Sequence, residues 1–176
     1  MSAGLYGITA WPPKALTGFV EDFQAQHGVQ AYGQPHFNLR YPFLWAGTEE
    51  ELIERFQTCA RIPRFRAWID GWADFPSALY IAIRATAEVL EAHERVLEVG
   101  GAPLYAGLDQ HDYVPHVTVA LGLTDENRQR ILSATQTHPI PRRSWTVSHL
   151  ALTRDENGTL LGLSTVLLAA TMTKNR

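Results

Sequence analysis

Two short stretches, 80 residues apart, hold the side chains best suited to chemistry. One is Gln34-Pro35-His36-Phe37-Asn38-Leu39-Arg40-Tyr41, and the other is Val114-Pro115-His116-Val117-Thr118-Val119-Ala120-Leu121. Each runs proline, histidine, an apolar residue, a short hydrogen-bonding residue, an apolar residue. In a strand, residues i and i+2 share a face. His36 and Asn38 then point one way with Arg40 beyond them, while Phe37, Leu39 and Tyr41 face a core. His116 and Thr118 share a face likewise, with Val117, Val119 and Leu121 turned inward. Two opposed imidazoles suit in-line phosphoryl transfer without a metal: a neutral one takes a proton from water, a protonated one gives a proton to the leaving oxygen. Both forms are accessible near an unperturbed pKa of ~6.5. The Asn38 amide and the Thr118 hydroxyl could donate to non-bridging phosphate oxygens, and Arg40 could add a charge-assisted bond. The bland readings are an Asn38 that bonds its own backbone and an Arg40 that is a solvated edge charge. The motifs are too alike to say which histidine is base and which is acid.

The flanking sequence supplies elements able to hold these strands. Leu5 to Trp11 reads as a strand stopped by Pro12-Pro13. Leu16, Phe19, Val20 and Phe23 fall at helical spacing within Lys14 to His27, and Gly28 closes that helix. Thr48 followed by Glu51 forms a capping-box pattern ahead of Leu52, Ile53 and Phe56. Phe65–Trp72 and Ala78–Thr86 read as a hairpin, and Ala87–Val99 as a helix ended by Gly100-Gly101. A polar loop spans Ala102 to Pro115. The strand His116–Leu123 leads to a helix at Asp125–Thr135 capped by Thr124. Trp145–Thr153 and Leu160–Ala170 flank Asn157-Gly158, a strong hairpin-turn signal. Strand, helix and hairpin thus occur twice in the same order. The expectation is an α+β, bilobal, pseudo-symmetric fold over residues 1–176, with two antiparallel β-sheets flanked by helices and a central cleft.

Composition narrows the function. The chain has 176 residues, 45% hydrophobic and 19% charged, which is globular rather than disordered. Its formal charge of −3 argues against coating long nucleic acid non-specifically, which needs a broad cationic excess. Cys59 is the single cysteine, so no intrachain disulfide or cysteine zinc cluster exists. Together with the lack of a signal-peptide pattern or a long apolar run, this leads us to expect a cytoplasmic, monomeric protein with no membrane partner.

The paired motifs resemble the 2H phosphoesterase superfamily, most closely its bacterial 2′-5′ RNA ligase-like branch. The run Gly71-Trp72-Ala73-Asp74-Phe75-Pro76 followed by Leu79-Tyr80-Ile81 resembles that family's hairpin between the motifs, and the likeness covers nearly the whole chain. The resemblance implies His36 and His116 as the catalytic pair and Thr118 as a phosphate ligand. It implies action on 2′,3′-cyclic phosphates at RNA ends or on small cyclic nucleotides. The expected product is a 2′-phosphate, with 2′-5′ ligation as a minor reverse activity and no cofactor or metal. Asn38 departs from the family pattern, where Thr or Ser is usual. That departure motivates the alternative of a non-catalytic module that binds RNA ends or cyclic nucleotides. A further alternative is an enzyme for another small cyclic phosphate.

Other residues have weaker readings. Tyr113, beside the loop Asp109-Gln110-His111-Asp112, could stack on a base, or be an ordinary amphipathic tyrosine. Trp68, Trp72 and Phe75 read as core or lobe-interface residues. The basic residues of 61–66, and Arg142-Arg143, read first as solvated ends of elements and second as an RNA guide. No strong ligand spacing supports a metal at His111 and Asp112.

Overall fold

The computed structural model describes residues 4–105 and 113–170. Strands β1 (Gly4–Ala10), β2 (Phe37–Trp45), β3 (Phe65–Phe75), β4 (Ala78–Ile83), β5 (Ala102–Pro103), β6 (His116–Leu121), β7 (Ser144–Val147), β8 (His149–Glu156) and β9 (Thr159–Leu167) alternate with helices α1 (Lys14–His27), α2 (Glu49–Gln57), α3 (Ala87–Leu97) and α4 (Asp125–Thr135). The strand order is β7-β3-β4-β6-β2-β1-β8-β9, with β5 also pairing β2. Every one of these pairings is antiparallel. Among the described residues no helix is long and apolar enough to cross a membrane.

The sheet divides into two four-stranded lobes, β7-β3-β4-β6 and β2-β1-β8-β9, joined where Phe37 of β2 meets Val117 of β6. The two lobes and their cleft match the expected architecture, but the chain builds them by exchange. Strand β2 sits with the 149–167 hairpin of the second half, and β6 sits with the 65–83 hairpin of the first. The expected strand 145–153 is two strands. Residues 144–147 pair with β3, and the chain crosses at Ser148 to pair with β1 and β9 in the other lobe. This exchange seats the two histidine strands side by side at the seam.

Local signals explain the helix ends. Thr48 accepts from the Glu51 amide while the Glu51 carboxylate accepts from the Thr48 amide, completing the capping box, a device whose cap residue is worth about 1 kcal/mol. Thr124 caps α4 by accepting from the Asn127 amide, without the reciprocal bond. Gly28, at φ 62°, ends α1 in the left-handed conformation. Asn157 and Gly158 both have positive φ, 54° and 89°, as the tight β8–β9 turn requires. On the helix-covered side, Leu16, Val20 and Phe23 of α1, Leu52 and Phe56 of α2, and Val89 and Val96 of α3 are buried together with Phe37, Leu39, Val117 and Val119.

Candidate active site

The seam strands face each other antiparallel, and Phe37 opposite Val117 is their shared register point. Stepping one residue either way sets His36 across from Thr118 and Asn38 across from His116. Phe37 and Val117 are fully buried, so alternation turns the two histidines, Asn38 and Thr118 to the opposite side. All four line one cleft of about 400 Å³. The structure therefore gathers four of the six residues singled out from sequence.

Each motif prepares its imidazole in the same way. The carbonyls of Gln34 and Val114 lie 2.8 Å from His36 Nδ1 and 2.6 Å from His116 Nδ1. A carbonyl only accepts, so both Nδ1 atoms carry the proton and both neutral rings keep a bare Nε2. Pro35 and Pro115 follow those carbonyl-bearing residues, and proline holds the preceding residue in extended geometry. That is a physical reason for a proline in each motif.

Beyond this the two imidazoles differ. Thr9 Oγ1 donates to Asn38 Oδ1 at 3.0 Å, which turns the Asn38 amide nitrogen toward His36 Nε2, 3.1 Å away. The amide donates into the lone pair a base would use. His116 instead gains a second acceptor. The Tyr41 hydroxyl donates to the Val114 carbonyl at 3.1 Å, and its oxygen lies 3.4 Å from His116 Nδ1. Phe75, Tyr80 and Tyr41 surround the His116 ring, with centroids at 5.7, 5.0 and 6.0 Å. Burial lowers the pKa of His36, against the Gln34 carbonyl, which raises it. Burial also lowers that of His116, opposed by the Val114 carbonyl and reinforced by repulsion from His36. Both rings thus favour the neutral form.

Arg40 does not reach the cleft. Strand β2 carries a bulge: Thr9 pairs with Asn38 and Ile8 with Arg40, leaving Leu39 extra. One extra residue reverses the alternation. Arg40, 2% exposed, is turned to the helix side, where it donates to the carbonyls of Gly100 and Gly101 and lies 3.9 Å from the Phe43 ring centre. It is a buried cation closing the C-terminal end of α3. Tyr41, expected in the core, lines the cleft for the same reason.

Strand β6 repeats the device at the matching position. Tyr80 pairs with Thr118 and Leu79 with Ala120, so Val119 is extra. Leu121, expected inside, is 46% exposed and reaches the cleft. A bulge leaves a carbonyl without a ladder partner, and each is met by a helix side chain. His93 of α3 donates from Nδ1 to Leu39 O at 2.6 Å, and Gln24 of α1 donates to Val119 O at 2.9 Å.

Tyr113 is a support rather than a stacking platform. It is 8% exposed, lies face to face on His93 at 3.7 Å, and donates from its hydroxyl to Asn38 O at 2.9 Å. Burial, and secondarily Tyr41, raise its phenol well above the usual range. The loop 109–112 lies outside the described residues. Trp72 packs on Phe19 and Phe23 as expected, whereas Trp68 and Phe75 are over one-third exposed. Cys59 is buried, and burial pushes its thiol up to about 12, too high for a nucleophile at neutral pH.

Thr9 and His93 shape the site without a motif of their own, and Tyr41 and Tyr80 do so from within runs whose sequence does not mark them for it. No pattern within one strand marks them, because their roles come from pairing with residues distant in sequence. The far wall of the cleft, from the other lobe, is largely apolar, with Leu5, Leu160 and the exposed Tyr105. It also carries Asp155, beside which burial first and the carboxylate second push the Tyr32 phenol up to about 12.

Comparison with known proteins agrees with this geometry. The family model described as "2'-5' RNA ligase superfamily" matches residues 12–159. A Bacillus pumilus protein named "Putative phosphoesterase" is 25% identical over 175 residues, covering 93% of this chain and 96% of its own. Among solved structures, E. coli LigT complexed with 3′-AMP superimposes with a TM-score of 0.64 at 14% identity, covering 95% of this chain and 99% of that one. The Thermus thermophilus protein TT0787 does so with a TM-score of 0.61 at 20% identity, covering 95% and 99%. Two lobes, two Pro-His strands meeting at the seam and the family match over most of the chain together place this protein in the 2′-5′ RNA ligase superfamily of 2H phosphoesterases.

Proposed function

We propose that the protein is a metal-independent phosphodiesterase that opens 2′,3′-cyclic phosphates at RNA or nucleotide ends to give the 2′-phosphate. The observation that carries this reading is the pair of Nδ1-protonated imidazoles sharing one cleft with Asn38 and Thr118. The nucleotide in the cited E. coli relative's structure and the phosphoesterase name of the Bacillus relative support it.

The roles of the two histidines follow from their neighbours. An anionic phosphodiester raises the pKa of any nearby imidazole, so substrate draws a proton into the cleft. At His36 that proton would meet the Asn38 amide donor at Nε2. At His116 it finds Nε2 open and Nδ1 supported by two acceptors. His36 is therefore the base and His116 the acid. Water attacks phosphorus as its proton passes to His36 Nε2. The bond to the 3′ oxygen breaks as His116 Nε2 protonates that oxygen. Thr118 and the Asn38 amide donate to the non-bridging oxygens. The Asn38 amide must release Nε2 as water enters, a cost of about one hydrogen bond, ~1 kcal/mol. The apolar wall opposite takes the terminal nucleoside. We assign the protein to the reducing cytoplasm, as a monomer. The reverse step, 2′-5′ joining of a cyclic end to a 5′-hydroxyl, is a minor activity because water is in excess.

The Asn38–His36 hydrogen bond also favours a second reading, a module that binds such ends without turnover, since it occupies the base's lone pair. One experiment separates them. Purified protein, with EDTA present, is incubated with 2′,3′-cyclic nucleotides and with a short RNA ending in 2′,3′-cyclic phosphate, and the products are resolved as 2′- or 3′-phosphate. Expected is a 2′-phosphate product, with His36→Ala and His116→Ala each losing about 10²–10⁴ in kcat. Tight binding without turnover would move the reading to the module. Turnover intact in both variants would end the two-histidine scheme.

A further inference from the structure

We infer that the open face of the β7-β3-β4-β6 lobe, beyond His116, is a track for single-stranded RNA lying 5′ of the reacting end. This rests on the cyclic-phosphate reading above and adds that the substrate is a polynucleotide rather than a free nucleotide. A 2′,3′-cyclic phosphate terminates the 3′ end of a strand, so the rest of the strand must leave the cleft in the 5′ direction.

The register puts a continuous surface where that strand would run. His116 pairs with Ala82, and Arg84, two residues on and just past the end of β4, keeps the same face while its amide donates to the Trp68 carbonyl. Ile69 pairs with Ile83 on the covered face, which leaves Trp68 opposite Arg84 on the open one. The ion pair between Arg84 and Asp70, 2.6 Å, confirms that these side chains share that face. With strands ~4.8 Å apart and ~3.4 Å of rise per residue, Trp68 lies about 12 Å from His116. That is within reach of the nucleotide next to the one held at the histidines.

The chemistry of this face is that of strand-binding surfaces. Trp68 is 37% exposed. The Arg66 guanidinium sits 4.8 Å from its ring centre and is held by a 2.9 Å bond to Ser144 Oγ, so the pair is ordered in advance. At the edge of this face Arg142 and Arg143 join Trp68, Asp70 and Arg84 around a hollow of about 490 Å³ that also reaches Ile69 and Trp72 of the covered side. Four arginines against one aspartate is a local cationic excess in a chain of net charge −3. An exposed aromatic offers a stacking surface to any base, and arginines meet the phosphates, without sequence readout.

The test compares kcat/KM for the short cyclic-ended RNA with that for a 2′,3′-cyclic mononucleotide, in the wild type, in Trp68→Ala, and in Arg142→Glu/Arg143→Glu. Expected is a fall of roughly five- to a hundredfold for the RNA with Trp68→Ala, and a weaker salt dependence with the arginine pair reversed. The mononucleotide should be unaffected in both. An unchanged RNA-to-mononucleotide ratio in both variants overturns the track and leaves the enzyme reading standing. If neither substrate turns over, the enzyme reading fails, and the track is judged by fluorescence anisotropy of a labelled single-stranded RNA. Weakened binding in the variants then supports it. Equal binding by wild type and variants, or equal competition by a duplex, overturns it.

Discussion

Exchanging Asn38 for aspartate reverses the sign of the contact that, in the mechanism proposed above, divides the labour between the histidines. The amide nitrogen 3.1 Å from His36 Nε2 donates to the neutral ring. The Asn38→Asp carboxylate would accept from the protonated ring instead. Two effects add. The neutral form loses a hydrogen bond worth about 1 kcal/mol, or ~0.7 of a pH unit. The charged form gains an opposite charge at contact distance, which Coulomb's law at an effective dielectric of 20 puts at about 5 kcal/mol. Water in the open cleft screens much of that, so a net upward displacement of roughly one to three pH units is expected. If His36 is the base, the acidic limb of the kcat/KM profile moves up by that amount. Activity on the acidic side of the limb then falls about ten- to a thousandfold, by less near neutrality because the His36 pKa starts below the ordinary ~6.5, and it recovers as the pH is raised. The added negative charge also raises KM, so the position of the limb is the diagnostic quantity. An NMR titration of the His36 ring in the free protein checks the same displacement without substrate. A variant whose acidic limb stays put while its basic limb moves up would refute the assignment, for it would make His36 the acid.

Three other outcomes follow from the same geometry. Asn38→Thr shortens the side chain and frees Nε2, so kcat at neutral pH should rise about two- to tenfold; an unchanged or lower kcat would show that the amide is no brake. His93→Ala leaves the Leu39 carbonyl without its donor and Tyr113 without its stacking partner. It should lower stability by about 1–3 kcal/mol in urea titrations, whereas a neutral effect would mean the bulge needs no support. Burial lowers the pKa values of His36 and His116, so the unfolded chain binds more protons below the ordinary value of ~6.5. Stability should be complete above that pH and decline as the pH falls toward the depressed values. A urea midpoint that rises between about pH 7 and about pH 5 would contradict this.

What can be seen in the sequence, and what cannot, divides along a physical line. Helix caps, the Asn157-Gly158 turn and the two Pro-His strands are local signals, each set by residues a few positions apart, and they stand in the structure where expected. Strict alternation fails after the third residue of each motif. Leu39 and Val119 are apolar residues with nothing in their type to mark a bulge. The bulges exist because β1 and β4 pair in a given register and because His93 and Gln24 supply donors from helices far along the chain. Alternation alone misplaces Arg40 and sends Tyr41 and Leu121 to the core through that one cause. The exchange of hairpins between halves is hidden for a related reason. Antiparallel strands can pair in either lobe without altering their own pattern, and the crossing at Ser148 interrupts an otherwise unbroken β-rich run.

The repeated bulge also explains why so symmetric a frame can do asymmetric work. At the third position after each histidine an extra residue turns the fourth inward and brings the fifth to the cleft. The frame is shared, but its occupants are not. After His36 the inward residue is Arg40, sealed under Gly100 and Gly101, and the cleft residue is Tyr41. After His116 they are Ala120 and Leu121. Because the strands face each other antiparallel, what each motif brings to the cleft can serve the other's imidazole. Tyr41, carried by the first motif, places its oxygen beside Nδ1 of the second motif's histidine. Asn38, held by Thr9 of a third strand, keeps its donor on its own histidine. Both contacts push the proton in the same direction, away from His36 and toward His116. In the proposed mechanism a duplicated strand-bulge unit thus yields a base and an acid from two identical side chains, through the neighbours each bulge selects rather than through the histidines themselves.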